Sequence, residues 1–209
     1  MFDPSQLLIY IGVVALLFIV PGPAVILTLA RSISGGAQAG VATGAGIAMG
    51  DMLHTLAAVI GLSAILMTSS LAYEIVRYLG AGYLIYLGLV AFFERAGNLD
   101  VPDVPPISAN KAFRQAIVIE ILNPKTALFF LAFLPQFTDP SRGALWMQLL
   151  VLGVIFVTMS FAFTSLLAVC AAGVSKWIGR NSSIGRWQGK AIGSIYIALG
   201  LQLALQERR

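Results

Sequence analysis

Charge is what this chain has least of. Only 11% of its 209 residues are Asp, Glu, Lys or Arg, whereas 58% are hydrophobic and the mean hydropathy is +0.89. Globular domains carry about 25% charged residues, so the shortage excludes an ordinary water-soluble fold and implies repeated passage through a bilayer. The one cysteine, Cys170, excludes an intrachain disulfide and a carrier that works by exchange between two thiols. The one histidine, His54, stands outside any His-Glu-x-x-His run, which excludes a zinc protease. An intramembrane aspartyl protease needs two converging aspartates, and Asp51 is the only one well inside an apolar span. No motif calls for a cofactor, and no cluster of residues suits a bound metal. The chain is expected not to be an enzyme.

What is present is a series of six apolar spans. The first, Leu7 to Ala30, holds 24 residues without a charge, about 36 Å if wholly helical and enough to cross. No basic residue precedes it, so it reads as a resident helix rather than a cleaved leader. The second, Ala39 to Met67, contains Asp51 and His54 and a run of glycines at 40, 44, 46 and 50 whose spacing admits a close neighbour. The third runs from Ala72 to Phe93. A loop from Glu94 to Lys111 follows, where Pro102, Pro105 and Pro106 exclude regular helix. The fourth is Ala112 to Phe137, the fifth Leu145 to Val174 and the sixth Ile184 to Leu205.

Proline interrupts two of these spans, at Pro21, Gly22, Pro23 and at Asn123, Pro124, Lys125. Proline removes a backbone donor and clashes with the preceding turn, and in hydrocarbon the freed groups must be met by neighbours, water or a ligand. Paired breaks in corresponding halves point to a carrier's binding site. Asn123 is placed to cap a new half-helix that opens with Pro124, and Gly22 and Pro23 open another. Helix N-termini favour negative charge, and Lys125 adds a formal positive one, so these six residues are candidates for holding a solute carboxylate. A lysine at mid-depth costs about 2.5 to 3.5 kcal/mol on insertion scales, so Lys125 needs a partner, with Asp51 and Glu120 as the candidates. Asp51 and His54, three residues apart, share a helix face. With Glu120, one turn before the second break, they are candidates for moving the coupling proton or for holding an ammonium group. His54 has a plainer alternative, a hydrogen bond to a helix backbone.

The halves also match each other. Ile19 to Pro23 aligns with Ile121 to Lys125, and Leu87, Gly88, Leu89 with Leu199, Gly200, Leu201. Three spans per half is an odd number, so the halves enter the membrane with opposite polarity. The expected fold is an all-α polytopic membrane protein, six transmembrane helices arranged as two inverted three-helix repeats with the first and fourth helices broken. It forms one domain over residues 1–209, with repeats over 6–93 and 112–206 and a cytoplasmic loop over 94–111. Arg31, Arg95, Lys111, Arg114, Lys176, Arg180, Arg186 and Lys190 fall on one face and Arg77, Arg142, Arg208 and Arg209 on the other. Basic residues are retained inside, so both termini are expected outside the cytoplasm. The net charge of +4 reads as this loop bias and not as a nucleic-acid footprint. Trp177 and Trp187 suit interfacial anchors.

Taken with Tyr83, Leu84 and Tyr86, Leu87, Gly88 in the third span, the two proline motifs, the glycine-rich second span and Asp51 with His54 give a pattern that covers nearly the whole chain. It resembles the LysE family of amino-acid exporters, in particular the homoserine/threonine or RhtB type. The resemblance implies a bacterial inner-membrane secondary transporter that exports amino acids or their derivatives by proton antiport, as a homodimer. Glu120 departs from the neutral amide expected there in many relatives, which leaves the charge of the substrate open. The alternatives are a metal-cation exporter of similar architecture, which Lys125 disfavours by repelling cations, and a structural membrane subunit, which has no use for buried charge.

Overall fold

The computed structural model describes residues 2–63, 70–93, 101–180 and 182–205; of these, the side chains of 70, 72, 73, 76, 172–189, 191, 192, 202 and 203 lie outside the description. The expected end of the second span, most of the first half of the inter-repeat loop, the side chains of both tryptophan anchors and the C-terminal arginines therefore lie outside the description.

Among the described residues the chain is helical, without strands. Helix α1, Pro4–Ile19, is capped by the Asp3 carboxylate, which accepts from the Ser5 amide, and stops where Val20 turns extended before Pro21. Helix α2 opens at Pro23 and runs to Ala57, continuing as a π-helical turn over Ala58–Leu62. Those 40 residues would reach about 60 Å, twice the hydrocarbon thickness of about 30 Å, if straight. They are not straight, because Gly36 takes φ 77° and ψ 177° and kinks the chain. Only glycine adopts that geometry without steric cost. The expected gap between the first two spans is thus a kink at Gly36 that divides α2 into two helical stretches, 23–35 and 37–57.

Helix α3 is Ser70–Phe93, α4 Ala109–Ile121, α5 Pro124–Ala132, α6 Leu145–Arg180 and α7 Ser182–Leu205, with short 3-10 turns at Leu134–Phe137 and Pro140–Arg142. The inter-repeat loop ends earlier than expected, since its last residues are already helical in α4. By length and composition Pro23–Leu62 and Leu145–Ala171 can each cross a membrane. The pair Ala109–Ile121 and Pro124–Phe137, bent by 51° at the second break, can make a third span, and Pro4–Ile19 and Arg77–Phe93 are shorter apolar helices.

The glycines of α2 explain how these helices pack. A methyl group built on Gly40 would lie 2.7 Å from Ala168 Cβ, and one on Gly44 would lie 2.7 Å from Thr164 Oγ1, both in α6. One on Gly46 would lie 2.8 Å from Ala116 Cβ and one on Gly50 2.6 Å from Glu120 Cβ, both in α4. Two faces of one helix are therefore stripped of side chains so that α4 and α6 reach its backbone. This close approach supplies the dispersion contact that drives helix association where lipid removes the hydrophobic incentive.

The contacts are reciprocal. Gly44 meets Thr164 and Gly153 meets Thr55, and the same separation in sequence parts Gly44 from Gly153 and Thr55 from Thr164. In α3 and α7, Gly88 meets Ile197 and Gly193 while Gly200 meets Ile85 and Ala81, again with one constant offset between corresponding residues. The core lies between α1, α5 and α6, where Phe129, Phe130 and Phe133 pack with Phe156, Tyr10 and Val14. Phe130 meets Phe156 edge-on at 4.9 Å between centroids, and the buried Tyr10 hydroxyl donates to Leu152 O at 2.9 Å.

Candidate functional site

Each break releases backbone groups, and the structure accounts for them differently. At the first, α1 ends with carbonyls that have no helical partner. The Lys125 ammonium, brought from the second break, donates to Leu17 O and to Val20 O, both at 2.7 Å. Gly22 stands beside this reach, and a methyl group there would lie 3.3 Å from Lys125 Cδ. No carboxylate stands within ion-pair distance of Lys125 among the described residues; the salt bridge found there is Arg142 with Asp139, near the α6 entry. The expected partner for Lys125, Asp51 or Glu120, is replaced by two helix-terminal carbonyls.

On the amide side of the same break, Gly22 caps α2 without a side chain, and Pro23 at the first helical position has no N–H to offer. The first helix bond runs from Ile26 N to Gly22 O at 3.0 Å. The Ala24 and Val25 amides between them take no partner among the described residues. This is an open helix end.

The second break is partly closed by its own residues. Asn123 Oδ1 accepts from the Lys125 amide at 3.1 Å, the expected cap of α5. Its Nδ2 donates to Glu120 Oε1 at 3.1 Å and to Oε2 at 3.3 Å, and the Thr126 hydroxyl also donates to Glu120 Oε1. On the carbonyl side, Glu120 O accepts from Asn123 N at 3.0 Å and from His54 Nε2 at 3.0 Å. As a donor to a carbonyl, His54 carries its proton on Nε2. The ring also stacks on Phe130 with centroids 5.9 Å apart. Of the two roles anticipated for His54, this geometry matches the backbone hydrogen bond.

One cavity joins these parts. Gly22, Asp51, Glu120, Asn123 and Lys125 line it, with Ala24, Val25, Thr126 and Ser160 and a wall that includes Phe18, Phe156 and Phe163. The space it offers to water-sized molecules is about 40 Å³, below the range of about 300–1,000 Å³ common for small-molecule sites, so it must widen to admit a solute of amino-acid size. Asp51 is 1% exposed, faces Ser160 and Glu120, and leaves Oδ2 without a partner among the described residues. Glu120, equally buried, has both oxygens engaged. Five of the nine candidate residues thus meet in one place. Pro21, Pro23 and Pro124 are exposed and shape the backbone from outside the cavity, and His54 stands behind it.

Sequence reading missed Thr126, Ser160 and the phenylalanines. Thr126, three residues after the Asn123 cap, was the most findable, because a hydroxyl in the first turn of a half-helix commonly bonds back. Ser160 sits in a long apolar run with nothing local to mark it. Among the described residues no three His, Cys, Asp or Glu side chains gather into a ligand set.

A helical membrane protein in which two interrupted helices meet around a polar, partly charged cavity has the build of a solute carrier. Residues 15–207 match the LysE type translocator family, and the chain belongs to it. It is a translocator and not an enzyme. It is 30% identical over 189 residues to the leucine efflux protein of Salmonella typhimurium, covering 89% of this chain and 88% of the relative. An uncharacterised membrane protein of Pseudomonas aeruginosa is 30% identical over 204 residues, 93% of each chain, and one of Vibrio cholerae 30% over 201 residues, 94% of this chain and 95% of the relative. No solved structure matches.

Proposed function

We propose that the protein exports amino acids or their derivatives from the cytoplasm across the bacterial inner membrane in exchange for protons. The observation that carries this reading is the pairing, in one cavity, of an open helix end beside Lys125 with an unpartnered Asp51 oxygen. The first suits a carboxylate and the second an ammonium group, the two charges that every free amino acid carries. The relatives named leucine efflux proteins support the same class of solute.

In this reading the carboxylate is held by the Ala24 and Val25 amides and by the third hydrogen of the Lys125 ammonium, and the amino group by Asp51. Asp51, with an oxygen left open beside the cavity, is the acid placed to take up the coupling proton. When the site opens outward, protonation of Asp51 weakens its hold on the ammonium and releases the solute. The reciprocal glycine contacts support two repeats of opposite polarity, and hence six spans that alternate access by rocking one repeat against the other. The bias of basic residues supports termini outside the cytoplasm. All the groups named come from one chain, so the site does not need the expected dimer.

The test is efflux from cells loaded with dipeptides, with and without the protein, under an imposed pH gradient. The protein is expected to lower intracellular free amino acid, and Asp51→Asn to abolish that effect while reaching the membrane in normal amount. Absence of efflux for every amino acid tried would overturn the reading.

A further inference from the structure

A cavity that must widen to take its solute opens where its walls are least firmly joined, and its two ends are fastened differently. Toward α5 and the start of α1, the buried rings of Tyr10, Phe129, Phe130, Phe133 and Phe156 fill the space between the helices. Tyr10 also meets Phe137 edge-on with centroids 5.1 Å apart. Parting that end means repacking several interlocked rings at once. Toward the other end the next layer is made of small residues. Ser32 and Ala168 close around Gly40, Thr164 meets Gly44, and Thr28 is fully buried. The hydroxyls there bond back within their own helices, Thr28 to Ala24 O at 2.8 Å, Ser32 to Thr28 O at 2.6 Å and Thr164 to Ser160 O at 2.7 Å, so these bonds do not tie one helix to another.

The polar tie at that end is Arg31. Its side chain, 7% exposed, donates from Nη1 to Pro105 O and from Nη2 to Gln115 Oε1, both at 2.8 Å. One guanidinium on α2 therefore holds both the segment that leads into α4 and α4 itself. The same segment runs beside the Gly36 kink, where a methyl group built on Gly35 would lie 3.8 Å from Ile107 O. Among the described residues no carboxylate stands within ion-pair distance of Arg31. Breaking a buried ion pair strands a charge on each side, whereas a carbonyl and a carboxamide are left neutral when the guanidinium withdraws. A long arginine stem can also carry its charge out to water or headgroups. The tie is of a kind that can be released and remade.

We propose, resting on the reading above of a carrier with its termini outside the cytoplasm, that Arg31 is the latch of the cytoplasmic gate. Its bonds to Pro105 and Gln115 hold residues 104–108 and α4 against α2 while the inner end is shut, and their release admits the solute from the cytoplasm.

The experiment follows a thiol at the buried layer behind the latch. With Thr28→Cys in a Cys170→Ser background, the rate of labelling by a membrane-impermeant maleimide is measured in inside-out and right-side-out vesicles, beside efflux from cells loaded with dipeptides. Gln115→Leu removes one acceptor and is expected to speed labelling in inside-out vesicles at least about tenfold, the scale on which one hydrogen bond to a charged group shifts a two-state equilibrium. Arg31→Met is expected to act in the same direction, and the Gln115 variants carry the test if it fails to accumulate. Gln115→Glu keeps the length and gives Arg31 a carboxylate, so it is expected to slow both labelling and efflux. A static brace would be strengthened by that pairing and would leave transport intact. Labelling that neither Gln115 variant moves, faster labelling of Gln115→Leu only in right-side-out vesicles, or undiminished efflux by Gln115→Glu overturns the latch while leaving amino-acid export standing. Labelling that responds as expected in a protein that exports no amino acid supports the latch and overturns the export reading.

Discussion

The two proline breaks are written in similar sequence and finished differently. At the second, Asn123 caps the Lys125 amide, and His54 with the Asn123 amide satisfies the carbonyl of Glu120, which leaves the Thr126 amide as the one first-turn donor without a partner among the described residues. At the first, the carbonyl end is sealed from a distance by Lys125, and the amide end at Ala24 and Val25 is left open. Proline therefore makes a joint but does not decide its use; the cap residue does. Asparagine at position 123 fills its own helix end, whereas glycine at position 22 leaves one free for a ligand and lets the Lys125 stem pass.

This contrast makes Lys125 the residue with most to lose. Lys125→Met keeps the length and removes the donors, leaving Leu17 O and Val20 O unmet, and an unmade hydrogen bond to a buried group costs about 1–3 kcal/mol. Efflux is expected to vanish and the amount of protein in the membrane to fall, as measured by immunoblot beside the efflux assay. Lys125→Met at normal abundance with unchanged transport would show that the first break has no need of an imported cap. Asn123→Ala should come next. It removes a helix cap worth about 1 kcal/mol and two hydrogen bonds to Glu120, and is expected to impair transport more than it lowers abundance.

Gly22→Ala sharpens the comparison further. The backbone at Gly22, φ −130° and ψ −174°, is open to any residue, so strain is not the issue. The new methyl group would press on Lys125 Cδ at 3.3 Å and Nζ at 3.6 Å, which a flexible side chain can relieve by moving a few tenths of an ångström. Efflux is expected to fall by less than the roughly 100-fold that a 1 Å misplacement can cause, with abundance unchanged. An alanine as damaging as Lys125→Met would mean that Gly22 contacts the solute itself.

How much of this was legible beforehand depended on the range of the interaction. The breaks, the Asn123 cap and the close approach at Gly40, Gly44, Gly46 and Gly50 are local rules of proline, asparagine and glycine, and they were readable from the sequence. So was the meeting of Asp51, Glu120 and Lys125, because charges in a span must gather somewhere. The task of Lys125 was not readable, since carbonyls more than 100 positions away carry no mark in the sequence around position 125. That the helix runs on past Arg31 to a kink at Gly36 was not readable, because a charged residue after an apolar run looks like the start of a loop. In the fold, Arg31 is buried and donates to Pro105 O and Gln115 Oε1, both at 2.8 Å, so two of its nitrogens find acceptors without the residue leaving the helix.

The smallest effect is expected at His54, and it tests the second break from behind. Glu120 O has two lone pairs, and Asn123 N takes one of them, so losing the imidazole leaves that carbonyl partly satisfied. His54→Gln keeps an N–H donor that can reach a carbonyl but has no titrating nitrogen. If His54 serves only as a carbonyl cap, this variant should keep the efflux rate and its dependence on external pH, while His54→Ala should lower stability by about 1 kcal/mol, the net worth of an ordinary hydrogen bond. A proton relay through the imidazole would give the other pattern, with His54→Gln and His54→Ala equally unable to couple efflux to the gradient. The pH profile of the glutamine variant therefore decides whether the joint around Asn123 is scaffold alone or also part of the proton path.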